Sequence, residues 1–185
     1  MDNFVFDPSI KFLDPEKLLF ASGLSSGQVV VDLGSGSGFY TLAAGKIVGD
    51  HGSVCSVDIL ETALDHVTAE ARLKGLRNLK TLRTNLEENK SCANIQTGTV
   101  DLVIVANLLH QIKNQNELFT EIYRLLKTGG KLIVVEWNDQ PSSIGPVANE
   151  RLKPGQIRQL AKQVTLKEAG TLPTDPYHYG LMFIK

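Results

Sequence analysis

Val29-Val30-Val31-Asp32-Leu33-Gly34-Ser35-Gly36-Ser37-Gly38-Phe39-Tyr40-Thr41 decides the fold. A run of β-branched residues predicts a strand, three glycines at alternate positions predict a tight loop, and the segment from Phe39 onward opens a helix. Glycine permits positive φ in such a turn and, having no Cβ, lets the backbone come within contact distance of a ligand. The dinucleotide fingerprint G-x-G-x-x-G needs its third glycine three residues after the second, and that position is Phe39. A pyrophosphate-binding loop is therefore not what this spacing describes.

Working outward, the same succession of strand, turn and helix recurs. Strand-like runs fall at Val29–Leu33, Ser53–Asp58, 79–82, 101–105 and 131–135. Several lack strict polar alternation, as expected of strands covered by helices on both faces. Between them, 61–74 carries Leu64, Val67 and Ala71 at helical spacing with Gly75 behind it. A second clear helix is capped by Asn114, shows Leu118, Ile122 and Leu125 on one face, and ends after Lys127 at Gly129-Gly130. Shorter helices are predicted at 15–20, 39–47 and 155–163. This rhythm is that of βαβ units, an α/β doubly wound sheet. The tail 177–184 alternates as a strand with two different faces. Residues 164–167 read as a strand forming a hairpin with it, or as the end of the last helix with Gly170 as its cap.

Composition narrows the partners. The 185 residues carry 19 Lys and Arg against 20 Asp and Glu, a formal net charge of −1, and no basic stripe of the kind that follows phosphates. The longest apolar runs have strand length, far short of the ~20 residues that cross a bilayer. The N-terminus lacks the pattern of a secretory signal, and the two cysteines, Cys55 and Cys92, have neither disulfide-scaffold numbers nor metal spacing. One cytoplasmic domain over 1–185 is expected, with no nucleic-acid or membrane partner. Residues 1–28, rich in Phe and Leu, are expected to fold over the edge of the ligand site as a lid.

Asp58 ends the second strand 24 residues after Gly34, where a carboxylate can accept hydrogen bonds from the two ribose hydroxyls of a nucleoside, although it could equally cap the next helix. With D-x-G-x-G-x-G ahead of it, the chain resembles the class I S-adenosylmethionine (SAM)-dependent methyltransferases, in particular the group with quinone-biosynthesis and arsenite enzymes. That resemblance implies a seven-stranded, mostly parallel Rossmann-like sheet in the order 3-2-1-4-5-7-6 with an antiparallel C-terminal strand. It implies that Gly34, Ser35, Gly36 and Gly38 pack on the methionine and ribose parts of the cofactor. Asp32 holds the loop and approaches the amino group, Asp58 takes the ribose, and Ile59 and Leu60 cover one adenine face. After the third strand the family's adenine-binding acid is matched here by Asn85, followed by Leu86 on the ring. The stretch 125–132, Leu-Leu-Lys-Thr-Gly-Gly-Lys-Leu, resembles the family's entry to strand five.

Ligands of open α/β sheets bind beyond the carboxyl ends of the strands. Strand four ends in Ala106-Asn107-Leu108-Leu109-His110, with neither the Pro-Pro-aromatic motif of amino-methylating enzymes nor the carboxylate set of metal-dependent O-methyltransferases. A small-molecule methyl acceptor is expected, with Asn107 at the cofactor. His110 is the candidate base, or else it satisfies a backbone carbonyl, and Glu136 either orients the acceptor or braces the site. Two cysteines are too few to hold arsenic. A nicotinamide-dependent oxidoreductase and a SAM-binding module without catalysis are the competing functions, and a monomer or homodimer is the expected assembly.

Overall fold

The computed structural model describes residues 13–185. Seven strands, β1 (Val29–Leu33), β2 (Ser53–Asp58), β3 (Leu79–Arg83), β4 (Val100–Ala106), β5 (Leu126–Trp137), β6 (Lys167–Leu172) and β7 (His178–Ile184), form one sheet ordered β3-β2-β1-β4-β5-β7-β6. The first five are parallel; β7 runs antiparallel to β5, and β6 antiparallel to β7. This is the doubly wound sheet and the strand order that the resemblance implies.

Helices α1 (Pro15–Ala21), α2 (Phe39–Val48), α3 (Glu61–Leu73), α4 (Gln115–Leu125) and α5 (Pro154–Gln163) flank it. Successive strand residues face opposite layers. Val31, Leu33, Val103, Val105 and Leu132 meet Leu118 and Ile122 of α4 and Ile157 of α5. Val30, Leu102, Ile104 and Ile133 meet Leu18 and Leu19 of α1 and Ala44 and Val48 of α2. Because both faces are covered, the central strands carry no solvent-facing polar set. Leu64, Val67 and Ala71 are the buried stripe of α3, as their spacing predicts.

Two boundaries differ from the sequence reading. α4 stops at Leu125, not Lys127, and β5 begins at once: Leu126 pairs with Val100, and the register then shifts so that Lys131 pairs with Leu102. Gly129 and Gly130 absorb that irregularity inside the strand; a Cβ at Gly130 would lie 2.8 Å from the Val100 carbonyl oxygen. Beyond α5 the predicted strand at 164–167 is three residues early. Thr165 at φ 65 closes the helix, with Thr165 N–H donating to Lys162 O and Leu166 N–H to Ala161 O. Gly170 lies within β6, paired with Met182 just after the register skips Ala169, rather than capping a helix.

Of the expected lid, residues 1–12 lie outside the described residues. Asp14 caps α1 by accepting from Lys17 N–H, and Leu18 and Leu19 are fully buried in the layer shared with α2. Among the described residues no helix is long and apolar enough to cross a membrane.

Candidate functional site

The glycine loop is sewn to the end of β2. Gly34 and Ser35 N–H both donate to Val57 O, at 2.8 and 3.0 Å, and the Ser35 and Ser56 hydroxyls are 2.6 Å apart. Asp58 completes the seam: Oδ2 accepts from Gly36 N–H and Oδ1 from Leu60 N–H, each at 2.9 Å. The local capping bond and the long-range loop bond therefore coexist on one carboxylate. A carboxylate has about four acceptor sites, so both oxygens keep a lone pair for an incoming hydroxyl.

Gly34 and Gly38 are demanded by the protein itself. Both have positive φ, and a Cβ would fall 2.6 Å from Leu108 Cδ1 and 2.7 Å from Val67 Cγ2 respectively. Gly36, at φ 52, faces open space. That space is a cavity of about 320 Å³ bounded by Gly34, Gly36, Asp58, Ile59, Leu60, Thr84, Asn85, Leu86, Glu87, Leu108, Gln111 and Ile112. Ile59 and Leu60 leave more than half of their surface in solvent, an exposure suited to covering a flat apolar ring. Asn85 Oδ1 accepts from Glu87 N–H at 3.1 Å, a local turn that fixes its amide at the rim. Leu86 is mostly buried in the core and shows only an edge. Sequence reasoning missed Thr84, Glu87, Gln111 and Ile112, whose positions depend on how the loops after β3 and β4 fold back.

Beneath the loop, the Thr41 hydroxyl donates to Asp32 Oδ2 at 2.6 Å. Burial pushes the Asp32 carboxyl up to about 6 against the Thr41 bonds, which pull it down. Tyr40, one residue before Thr41 in α2, has a buried hydroxyl with no partner among the described residues, and burial together with the nearby Asp32 and Asp175 charges keeps it protonated.

A family model described as a methyltransferase domain matches residues 24–174. The chain belongs to this methyltransferase domain family. The ubiquinone/menaquinone biosynthesis C-methyltransferase UbiE of Hydrogenovibrio crunogenus is 36% identical over 121 residues, which cover 63% of this chain and 45% of that protein. The chain thus spans less than half the length of such relatives. Among solved structures, a SAM dependent methyltransferase from Aquifex aeolicus superposes with a TM-score of 0.84 at 24% identity, covering 96% of this chain and 93% of the other. The arsenic (III) S-adenosylmethionine methyltransferase CrArsM from Chlamydomonas reinhardtii gives 0.67 at 24% identity, covering 86% and 64%.

In this methyltransferase domain the end of β4 carries two histidine–carboxylate pairs, one toward each helical layer. A 3₁₀ turn, Leu109–Gln111, presents His110. Glu136, 1% exposed, accepts from Leu109 N–H at 2.7 Å, and its other oxygen lies 3.6 Å from His110 Nδ1, beyond hydrogen-bond distance. His110 Nδ1 is buried and has no hydrogen-bond partner among the described residues. Glu136 therefore braces the turn, and the histidine faces a carboxylate rather than a backbone carbonyl. Neither side chain forms part of the cavity wall, and neither does Asn107.

The second pair went unnoticed in the sequence. His178 Nδ1 is 2.8 Å from Asp175 Oδ1, and Nε2 is 3.3 Å from Asn107 Nδ2. Pairing in the β5–β7 ladder places His178 beside Trp137 and Tyr179 beside Glu136, so the two aromatic sets face opposite layers. The His178 ring lies on Trp137 with centroids 4.2 Å apart, while the Tyr179 hydroxyl donates to Leu152 O at 2.6 Å. Trp137 also seats the loop after β5: Gly145 presses on its ring, and Arg151 spans the loop to Asn138, Gln140 and Pro146 carbonyls. Asp175 is three residues upstream of His178 in a turn, a spacing with no periodic signature.

Proposed function

We propose that the protein transfers a methyl group from SAM to a small-molecule acceptor by in-line displacement. The observation that carries this reading is the joint geometry of Gly36 and Asp58. A backbone with no Cβ faces an open cavity, and a carboxylate fixed by that same backbone keeps lone pairs free for ribose, with Ile59 and Leu60 exposed beside it. When bound, SAM supplies an activated sulfonium methyl and a neutral leaving group. The chain's task is alignment and exclusion of water. Asp58 holds the ribose, Ile59, Leu60, Asn85 and Leu86 hold adenine, and the loop from Gly34 to Gly38 lies along the methionine part. Asp32 sits below that part as the nearest buried anion for a cationic group. His110, with Glu136 behind it, takes a proton from an acceptor that enters protonated; such catalytic contacts commonly tighten only in the complex.

The quinone-biosynthesis relatives favour a carbon acceptor, and a cytoplasmic setting suits the two free thiols. Arsenic chemistry is disfavoured, because Cys55 and Cys92 pack in or against the core and neither lines the cavity. Nicotinamide binding is disfavoured by Phe39 at the third fingerprint position. The test is incubation with SAM and a panel of phenols, quinols and amines, following S-adenosylhomocysteine release. Acceptor-dependent release is expected; saturable SAM binding without release from any acceptor would leave only a binding module.

A further inference from the structure

Asn107 follows β4 at φ 53, a left-handed conformation that Asn tolerates better than most residues. Its backbone is tied down, N–H donating to Val135 O at 2.9 Å and the carbonyl accepting from Gln111 Nε2 at 3.3 Å. Its side chain has one free direction, and the neighbouring pair fixes it. An ionised Asp175 can only accept, so His178 Nδ1 carries the proton in the 2.8 Å bond. With the proton on Nδ1, the Nε2 lone pair faces Asn107, which meets it with its amide N–H at 3.3 Å. The amide oxygen is turned the other way. Asn107 Oδ1 is buried and has no hydrogen-bond partner among the described residues, an arrangement that is destabilising unless something binds there.

We infer that Asp175 and His178 are positioning residues whose role is to aim the Asn107 carbonyl oxygen at a hydrogen-bond donor of the methyl acceptor, so that the acceptor carries an O–H or N–H next to the atom methylated. The inference rests on the methyltransferase reading and assigns Asn107 to the acceptor rather than to the cofactor. Trp137 maintains the geometry by stacking on the His178 ring. The arrangement is an orientation device: a carbonyl aimed by a carboxylate–imidazole pair discriminates strongly against an acceptor without a donor, because the buried oxygen is then left unpaired.

Two measurements on the S-adenosylhomocysteine-saturated protein test it. Long-range ¹⁵N correlation spectra report the His178 tautomer, expected to be Nδ1–H. Binding of 1-naphthol against 1-methoxynaphthalene reports donor selectivity, expected to be at least tenfold for the hydroxyl. His178→Phe, which keeps a ring on Trp137 but removes both nitrogens, should cut that selectivity to below threefold while S-adenosylhomocysteine still saturates the folded variant. An Nε2–H tautomer, equal binding of the two probes, binding of neither, or unchanged selectivity in His178→Phe would each overturn the inference. Failure of S-adenosylhomocysteine to bind at all contradicts the methyltransferase reading, and the inference with it.

Discussion

Asp58 Oδ2 accepts the backbone N–H of Gly36 at 2.9 Å across 22 residues of sequence, so the acid at the end of β2 and the loop at the end of β1 form one rigid unit. Removing the carboxylate therefore has two effects. Asp58→Ala frees Gly36 N–H and Leu60 N–H and removes the proposed ribose acceptor. Calorimetric titration should show SAM affinity lowered at least about 30-fold, and urea unfolding a stability loss of about 1–3 kcal/mol.

Gly36 and Gly38 separate ligand contact from protein packing. Gly38→Ala meets Val67 at 2.7 Å with φ 81, so a loss of about 2 kcal/mol or more is expected in denaturant unfolding. Gly36→Ala meets no protein atom, and its φ of 52 lies in the left-handed region, so the loss should stay near 1 kcal/mol. The same methyl group projects into the cavity, so SAM binding should fall in Gly36→Ala by more than its stability does.

Asp32 makes binding and stability respond oppositely to pH. Burial disfavours the charge and pushes its carboxyl in the folded chain from the ordinary 3.8 up to about 6. Between pH 4 and 6 the folded chain holds a proton that the unfolded chain has released. Asp32's own contribution to stability falls as pH rises through that window and is level above it, by about 3 kcal/mol in all. Asp32→Asn should flatten this slope in urea titrations and raise stability at pH 7.5. In the wild type, SAM affinity should climb from pH 5 to 7 as the carboxylate ionises beneath the cationic cofactor, and the variant should lose that rise.

Glu136 supports the turn after β4 with one oxygen and faces His110 with the other. Glu136→Gln keeps an oxygen for Leu109 N–H, so its stability should lie within about 1 kcal/mol of wild type. Glu136→Ala leaves that N–H buried and should cost about 1–3 kcal/mol. Once an acceptor is in hand, Glu136→Gln should slow S-adenosylhomocysteine release about tenfold with an altered pH–rate profile.

The sheet was legible because its signals are local. Apolar runs such as Val29–Leu33, glycines at fixed offsets and the α3 stripe are set by periods of two and 3.6 residues. Boundaries failed where tertiary pairing overrode local cues. Leu126 joins β5 because Val100 is there to pair with it, and Thr165, which bears a side chain, took the positive-φ position that glycine usually marks. At the site, Asp32, Asp58 and Asn85 stood at spacings that their strands dictate. The Asp175–His178–Asn107 chain joins residues 71 positions apart through the antiparallel β7, and no spacing along the chain announces it.

The most direct test of the central claim is calorimetric titration of the wild type and Asp58→Ala with SAM, S-adenosylhomocysteine and NAD. The account predicts saturable binding of the first two to the wild type, none for NAD, and marked weakening in Asp58→Ala. Binding of NAD alone, or SAM affinity indifferent to Asp58, would contradict it.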